Sequence, residues 1–289
     1  MTPMSRALDW LAVGDIAEER GSDDQRILGG GAARLTAHAA ALGARTALVA
    51  KLGDDDAGQR VWEGLERLKI DLRWLPRARG LRTTVWHDPD GASSLRRVER
   101  GADMALRLDE LPPVSTGAAI TVVSGYSLSV EPARSAALGA LATAKLRGGR
   151  AALLLEAQLL WWTNARITRR VLEPAIAAAE SVALQAADAQ ILFGAVDSRQ
   201  AARLLTEMGP RLVYLAEPNG SVVLREGGRV VVIPAGRGDG AARDRYAGAA
   251  AFWVGLAKRT PPRKAATDSI RYAQSVRRAG APRQLQPSL

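Results

Sequence analysis

The 289-residue sequence has no cysteine, which excludes disulfides, thiolate metal centres and cysteine nucleophiles. Histidine occurs only at His38 and His87, too few for an imidazole-built metal centre. No run approaches the roughly 18 apolar residues of a membrane span. The opening MTPMSRALDWLAVGD lacks a long apolar signal core with a small-residue cleavage site. A cytoplasmic protein with no membrane partner is the expectation, and its chemistry is left to carboxylates, backbone amides and basic groups.

Negative charge is also in short supply, because 40 Lys and Arg face 30 Asp and Glu, a formal net charge of +10. Such a balance suits nucleic acid or an acidic protein partner. The arginines are scattered, however, and the clusters Arg96, Arg97 and Arg100, and Arg169 and Arg170, carry no interleaved rings on which bases could stack. Solvated faces account for them, and nucleic acid ranks last among the expected partners.

What the sequence does have is 47% hydrophobic residues, enough for a substantial core, arranged as short apolar runs alternating with helical patterns. Strands are expected at Trp10 to Val13, Thr46 to Lys51 and Leu72 to Leu75, with helices at Ala32 to Leu42 and Gln59 to Leu68. From Thr83 to Glu99 two strand-like stretches flank the turn cluster PDGA, which reads as a projecting β-hairpin. The alternation then resumes, with strands at Ala119 to Ser124, Ala151 to Leu155, Ser181 to Leu184 and Leu212 to Leu215. Helices are expected at Pro132 to Leu146, Ala165 to Ala179 and Ser198 to Met208. A hairpin joined at Gly227 and Gly228 follows, then helices from Asp244 to Arg259 and from Thr267 to Arg278. This rhythm predicts a doubly wound, mostly parallel sheet flanked by helices.

The segment Leu28 to Leu68, LGGGAARLTAHAAALGARTALVAKLGDDDAGQRVWEGLERL, resembles the N-terminal signature of the ribokinase/PfkB carbohydrate kinases: a glycine pair opening an alanine-rich helix, then LGA, a strand, and GDDxxG. The likeness continues through VSGYSLSVEPAR (Val123 to Arg134), LLLEAQLLWW (Leu153 to Trp162) and DRYAGAAAFWVGLAKR (Asp244 to Arg259), and covers nearly the whole chain. SGYSLS and the tryptophan stretch look most like the 2-keto-3-deoxygluconate kinase and fructokinase branch. The resemblance implies a single ribokinase-like α/β domain over 1–289 with a small β lid, its strands near 14–27 and 82–100. It also implies ATP and Mg2+, a small-molecule sugar substrate, and a homodimer through the lid hairpin, since a projecting hairpin needs cover.

Moving a γ-phosphoryl group to a sugar hydroxyl demands positioning, neutralisation of developing charge, and a carboxylate to take the hydroxyl proton. Relatives meet the last two with a G-A-G-D sequence opening a helix, whose amides and dipole hold phosphate. Here the corresponding stretch is AGRGDGAARDRYAGAA. Gly236-Arg237-Gly238-Asp239 offers a literal G-x-G-D, whereas Asp244 leads D-x-[aromatic]-x-G with Tyr246 and Gly248. Asp244 is favoured as the base, with Asp239 the alternative. Ala241, Ala242 and Arg243 then form the anion hole, with Cβ atoms where glycine would let backbone approach phosphate. Arg243 or Arg245 offers a compensating contact to phosphate; an exposed arginine is the plainer reading of each.

Other positions follow from the same resemblance. Asp15 and the pair Gly30 and Gly31 are expected at the sugar, and Arg34 replaces an asparagine that holds a sugar hydroxyl. Gln185 and Asp188 stand for an N-x-x-E associated with magnesium and nucleotide, and Glu156-Ala157-Gln158 for a D-x-N. Glu217 and Gly220 stand for the turn that shapes the adenine pocket. Asp15 also reads as a strand-end aspartate, and Asn219-Gly220 as a plain hairpin turn. Asp54, Asp55 and Asp56 read as structural, and Trp161 and Trp162 as packing rings. Three functions remain: an ATP-dependent kinase of a sugar or sugar acid, a catalytically silent kinase fold that binds ligand or partner, and, ranked last, a basic nucleic-acid-associated protein.

Overall fold

The computed structural model describes residues 8–21, 25–88, 97–157, 161–194, 196–235 and 244–279. Its centre is an eight-stranded sheet in the order β14-β13-β12-β11-β10-β9-β1-β4. The strands β1 (Leu8–Val13), β4 (Thr46–Val49), β9 (Ala118–Ser124), β10 (Arg150–Leu154), β11 (Ser181–Gln185) and β12 (Leu212–Ala216) run parallel. They are buried nearly throughout and read as continuous apolar runs, as a sheet covered on both faces requires. The hairpin of β13 (Val222–Glu226) and β14 (Arg229–Ile233) extends one edge antiparallel.

Helices α1 (Gly31–Ala41), α2 (Asp56–Arg67), α7 (Arg245–Ala257) and α8 (Pro262–Ala279) cover one face. Helices α3 (Ala133–Thr143), α4 (Ala165–Ala178), α5 (Ala186–Phe193) and α6 (Ser198–Glu207) cover the other. Chain order reverses at β1, with β4 on one side and β9 on the other, so the strand ends there open a crevice of the kind in which doubly wound sheets bind ligands. Two buried tryptophans seat the helices that border it. The Trp10 indole N–H donates to Thr36 on α1 (3.2 Å), and that of Trp253 on α7 donates to Ser181 (3.0 Å). The two rings meet at 6.3 Å.

A second sheet, β3-β2-β7-β8, stands where the lid strands are expected and is built from β2 (Ala17–Arg20), β3 (Arg26–Gly29), β7 (Thr84–His87) and β8 (Arg97–Glu99). β7 and β8 pair antiparallel, as the hairpin pattern predicts; its turn lies outside the described residues. The hairpin does not project alone, because β7 pairs in parallel with β2. Strand alternation points the neighbours Glu18 and Glu19 of β2 opposite ways. Glu18 accepts from Arg60 on α2 (2.7 Å), while Glu19 accepts from Arg34 on α1 (3.0 Å). Among the described residues no helix is long and apolar enough to cross a membrane.

Three elements differ from expectation. Leu72 to Leu75 is a turn, not a strand: Leu72 and Leu75 face the core, and Arg73 lies over the Trp74 ring at 4.7 Å. The extended pair comes later, at β6 (Arg77–Ala78), beside β5 (Leu52–Gly53). Helix α8 starts at Pro262 instead of Thr267, proline being at ease in a first turn where its missing N–H has no partner to lose. Helix α5, unforeseen, begins immediately after β11.

The three aspartates after β5 do not form a metal cluster. Asp55 accepts from the Gly58 N–H (2.9 Å) as the N-cap of α2, and from the N–H (3.0 Å) and hydroxyl (2.6 Å) of Thr83 at the root of β7. Asp54 is exposed and meets Arg77 at 3.4 Å. Asp55→Ala is expected to cost about 1–3 kcal/mol, by loss of a cap and of the lid root together. Asp54→Ala should stay within about 0.5 kcal/mol. Urea denaturation of the two variants compares them directly.

Candidate active site

The crevice is built where helix N-termini meet strand ends. Asp15, just after β1, is fully buried and accepts from the N–H groups of Gly31 (2.5 Å) and Ala32 (3.1 Å), so its carboxyl caps the positive end of α1. The Ser124 hydroxyl, at the end of β9, donates to the same carboxyl. Gly30 has φ +89°, and a Cβ there would lie 2.7 Å from the Asp15 carbonyl oxygen. At Gly31 a Cβ would lie 2.9 Å from Glu156 Oε2. The glycine pair is required by close approach of backbone to backbone and of backbone to carboxyl.

Four residues down α1, Arg34 and His38 share one face. Both reach Asp244, the N-cap of α7: Arg34 Nη2 donates to Asp244 Oδ2 (3.0 Å), and His38 Nε2 lies 3.2 Å from the same oxygen. Asp244 Oδ1 accepts from the Tyr246 N–H (2.9 Å), the capping bond of α7. Arg34 Nη1 donates to Glu19 of the lid, and its guanidinium lies over the Tyr246 ring at 4.4 Å. Burial alone would lower the Arg34 pKa, but Asp244 and Glu19 outweigh it and hold the group above its ordinary value. The guanidinium is therefore charged, with a carboxylate on either side. Behind His38, Nδ1 lies 3.0 Å from the Tyr272 hydroxyl of α8.

A parallel arrangement stands at the next strand ends. Arg245 Nη2 donates to Asp188 Oδ2 at 2.7 Å, and both side chains are buried. Asp188 also accepts from the N–H groups of Gln185 (3.1 Å) and Ala157 (3.0 Å). Gln185 and Asp188 thus form the capping box of α5. Glu156, fully buried at the end of β10, accepts from the Tyr246 hydroxyl (3.1 Å), while its Oε2 has no partner among the described residues. Burial, reinforced by the Asp15 and Asp188 carboxylates against the pull of Arg245, pushes the Glu156 carboxyl up to about 8. Burial does the same to Asp103, up to about 7, although the Thr84 hydroxyl donates to it.

The structure links Asp15, Gly30, Gly31, Arg34, Asp188 and Asp244 in one network of contacts at the strand ends, with Gln185 at its border. Arg245 is committed to Asp188 and is not the exposed arginine of the plainer reading. Glu217 and Gly220 close a turn between β12 and β13, in which the Gly220 N–H donates to the Glu217 carbonyl (2.9 Å) and Gly220 has φ +83°. That is the geometry of a tight hairpin. Trp161 packs edge-on to Tyr126, with centroids 4.9 Å apart, and the Trp162 indole donates to the Glu156 carbonyl (3.3 Å). Asp239, Ala241, Ala242, Arg243 and Gln158 lie outside the described residues.

Sequence reasoning missed Glu19, His38, Tyr246 and Tyr272 as parts of this site. The i, i+4 spacing of Arg34 and His38 on an alanine-rich helix was the readable signal for one pair. The approach of Glu19 was not, since it depends on how the lid folds back over α1.

No family model matches the sequence. Among curated proteins, a fructokinase of Klebsiella pneumoniae is 27% identical over 212 residues, 72% of this chain and 69% of that protein. A 5-dehydro-2-deoxygluconokinase of Shouchella clausii is 27% identical over 198 residues, 66% of this chain and 61% of that protein. The chain thus spans some three-fifths to two-thirds of these relatives' own lengths. Among solved structures, the aminoimidazole riboside kinase of Salmonella enterica, in complex with aminoimidazole riboside and an ATP analogue, superposes with a TM-score of 0.83 at 20% identity, covering 96% of both chains. The Vibrio cholerae fructokinase bound to fructose, ADP and calcium gives 0.81 at 19% identity, covering 95% of this chain and 93% of that one. At these identities the superpositions establish the fold. Sequence relatives and fold neighbours agree: the chain has the ribokinase-like fold of these kinases, and its sequence is similar to those of a fructokinase and a 5-dehydro-2-deoxygluconokinase.

Proposed function

We propose that the chain is an ATP-dependent kinase acting on a hydroxyl of a small sugar or sugar acid bound between the lid and the end of the main sheet. The observation that carries this reading is the placement of Asp244. Its carboxylate caps the N-terminus of a 13-residue helix and is joined through Arg34 both to α1, next to the strand-order reversal, and to Glu19 of β2. In the step proposed, the acceptor hydroxyl gives its proton to Asp244 as its oxygen bonds to the γ-phosphorus. The bond from that phosphorus to the bridging oxygen breaks, and ADP leaves. The positive end of α7 favours the charge that develops on the phosphoryl oxygens.

ATP enters as the magnesium complex. Magnesium in such sites is commonly held by substrate phosphates, water and one or two carboxylates. Gln185 and Asp188 border the expected nucleotide side. Both Asp188 oxygens are already engaged, so its part there is to hold Arg245 and the N-terminus of α5 in place.

Glu156 supplies a different function. As a neutral acid at neutral pH it carries a proton on a carboxyl whose Oε2 lacks a partner, beside Gly31, and can donate to an acceptor oxygen. Arg34 and His38 favour a second reading, binding without transfer, because both are held on one oxygen of Asp244 and compete there with a hydroxyl.

Fructose and a panel of sugars and sugar acids, assayed for ADP formation with magnesium-ATP, separate the two. The kinase reading expects turnover that falls at least about 100-fold in Asp244→Asn with folding intact. The binding reading expects no more ADP from the parent protein than from that variant. A stability measurement tests Glu156 separately. Its carboxyl titrates near about 8 when folded, against an ordinary value of 4.5. The folded chain therefore holds an extra proton between those values. The stability from this group is complete below about 4.5 and is lost as pH rises through about 8, on the order of a few kcal/mol. Urea denaturation from pH 5 to 9 should show that decline in the parent protein, and Glu156→Gln should make it shallower, the remainder belonging to Asp103.

A further inference from the structure

Arg34 is a buried cation shared between two carboxylates that belong to different parts of the molecule. Glu19 lies on lid strand β2, and Asp244 opens α7; each accepts one guanidinium hydrogen bond of 3.0 Å. All three side chains are buried. Asp244 Oδ1 accepts the capping N–H of Tyr246, while Oδ2, the oxygen turned toward α1, is held by Arg34 and His38, so a hydroxyl approaching Oδ2 meets them there. A charge-assisted bond from a guanidinium is stronger than one from a neutral hydroxyl, so Arg34 competes with any acceptor for the base.

Releasing Asp244 need not strand the cation, because Glu19 still balances its charge and the Tyr246 ring still supports it. Resting on the kinase reading, we propose that Arg34 is a positioning residue that exchanges Asp244 for the acceptor, with Glu19 of the lid as the partner that lets it go. His38 remains on Asp244 throughout. Its Nε2–H donates to Oδ2 while Nδ1 accepts from the Tyr272 hydroxyl, which keeps the carboxylate aimed as the guanidinium withdraws.

A shared cation gives the two neighbouring substitutions opposite effects. Arg34→Gln removes the competitor, so kcat/KM for an acceptor should rise about tenfold, with tighter acceptor binding. Glu19→Gln leaves the guanidinium dependent on Asp244 alone, so both quantities should fall by about the same factor. If the three groups were only structural, both variants would lose activity together. Arg34→Gln leaves two buried carboxylates near each other, so the double variant Glu19→Gln, Arg34→Gln, which removes one charge of each sign, guards against misfolding. It should follow Arg34→Gln in direction.

The experiment measures ADP formation and calorimetric affinity for fructose, ribose and gluconate in the parent protein, the two single variants and the double variant. Opposite signs for Arg34→Gln and Glu19→Gln in both readouts support the exchange. Opposite signs in affinity without turnover in any form support it and overturn phosphoryl transfer. Turnover that changes in the same direction in both single variants, or in neither, overturns the exchange and leaves the kinase reading standing. No binding of any of the three probes to any form overturns both.

Discussion

A guanidinium removed from water must have its charge balanced close at hand, and Arg34 meets that demand with carboxylates from the lid and from the start of α7. The residue sits in the first turn of α1, whose own N-terminus is held by Asp15 at the end of β1. One buried cation thus ties together the first strand's helix, the lid and the helix that presents the candidate base. Removing it would leave two carboxylates uncompensated, which is why its neighbours are as constrained as it is. The second pair, Arg245 with Asp188, repeats the solution one layer on and fixes the N-terminus of α5 against the end of β10.

These pairs also place the arginine excess of the composition. Part of it is buried and neutralised, and part makes surface ion pairs such as Arg45 with Asp9 and Arg150 with Glu180. Exposed pairs of that kind contribute little to stability individually. The buried ones organise the crevice. Around them stand groups held in their neutral form by burial, Glu156 above all, so that the site combines fixed charge with carboxyl groups able to donate hydrogen bonds.

The sheet was legible because its strands are short apolar runs buried on both faces, and the runs around Val13, Val122, Leu153 and Leu184 announce themselves by composition. Leu72 to Leu75 misled because the same apolar residues also serve a turn that leans on the core. Helix α5 escaped because Gln185 and Asp188 were read as a nucleotide motif, when their spacing is equally that of a capping box. At the site, Asp244 could be read from the aromatic and glycine that follow it, and Arg34 from its offset from the glycine pair. Their contact, across 210 residues of sequence, could not. Nor could Glu19, since a strand of two consecutive glutamates does not reveal which faces α2 and which faces α1.

The central claim is that Asp244 is a base held in reserve by Arg34 and given over to an acceptor hydroxyl. Its most direct test is a crystal structure of the protein with a non-hydrolysable ATP analogue, magnesium and fructose. The account predicts a fructose hydroxyl within hydrogen-bond reach of Asp244 Oδ2, with the Arg34 guanidinium turned to Glu19 alone. A bound fructose with the bond between Arg34 and Asp244 still closed, and every hydroxyl away from that oxygen, would contradict it.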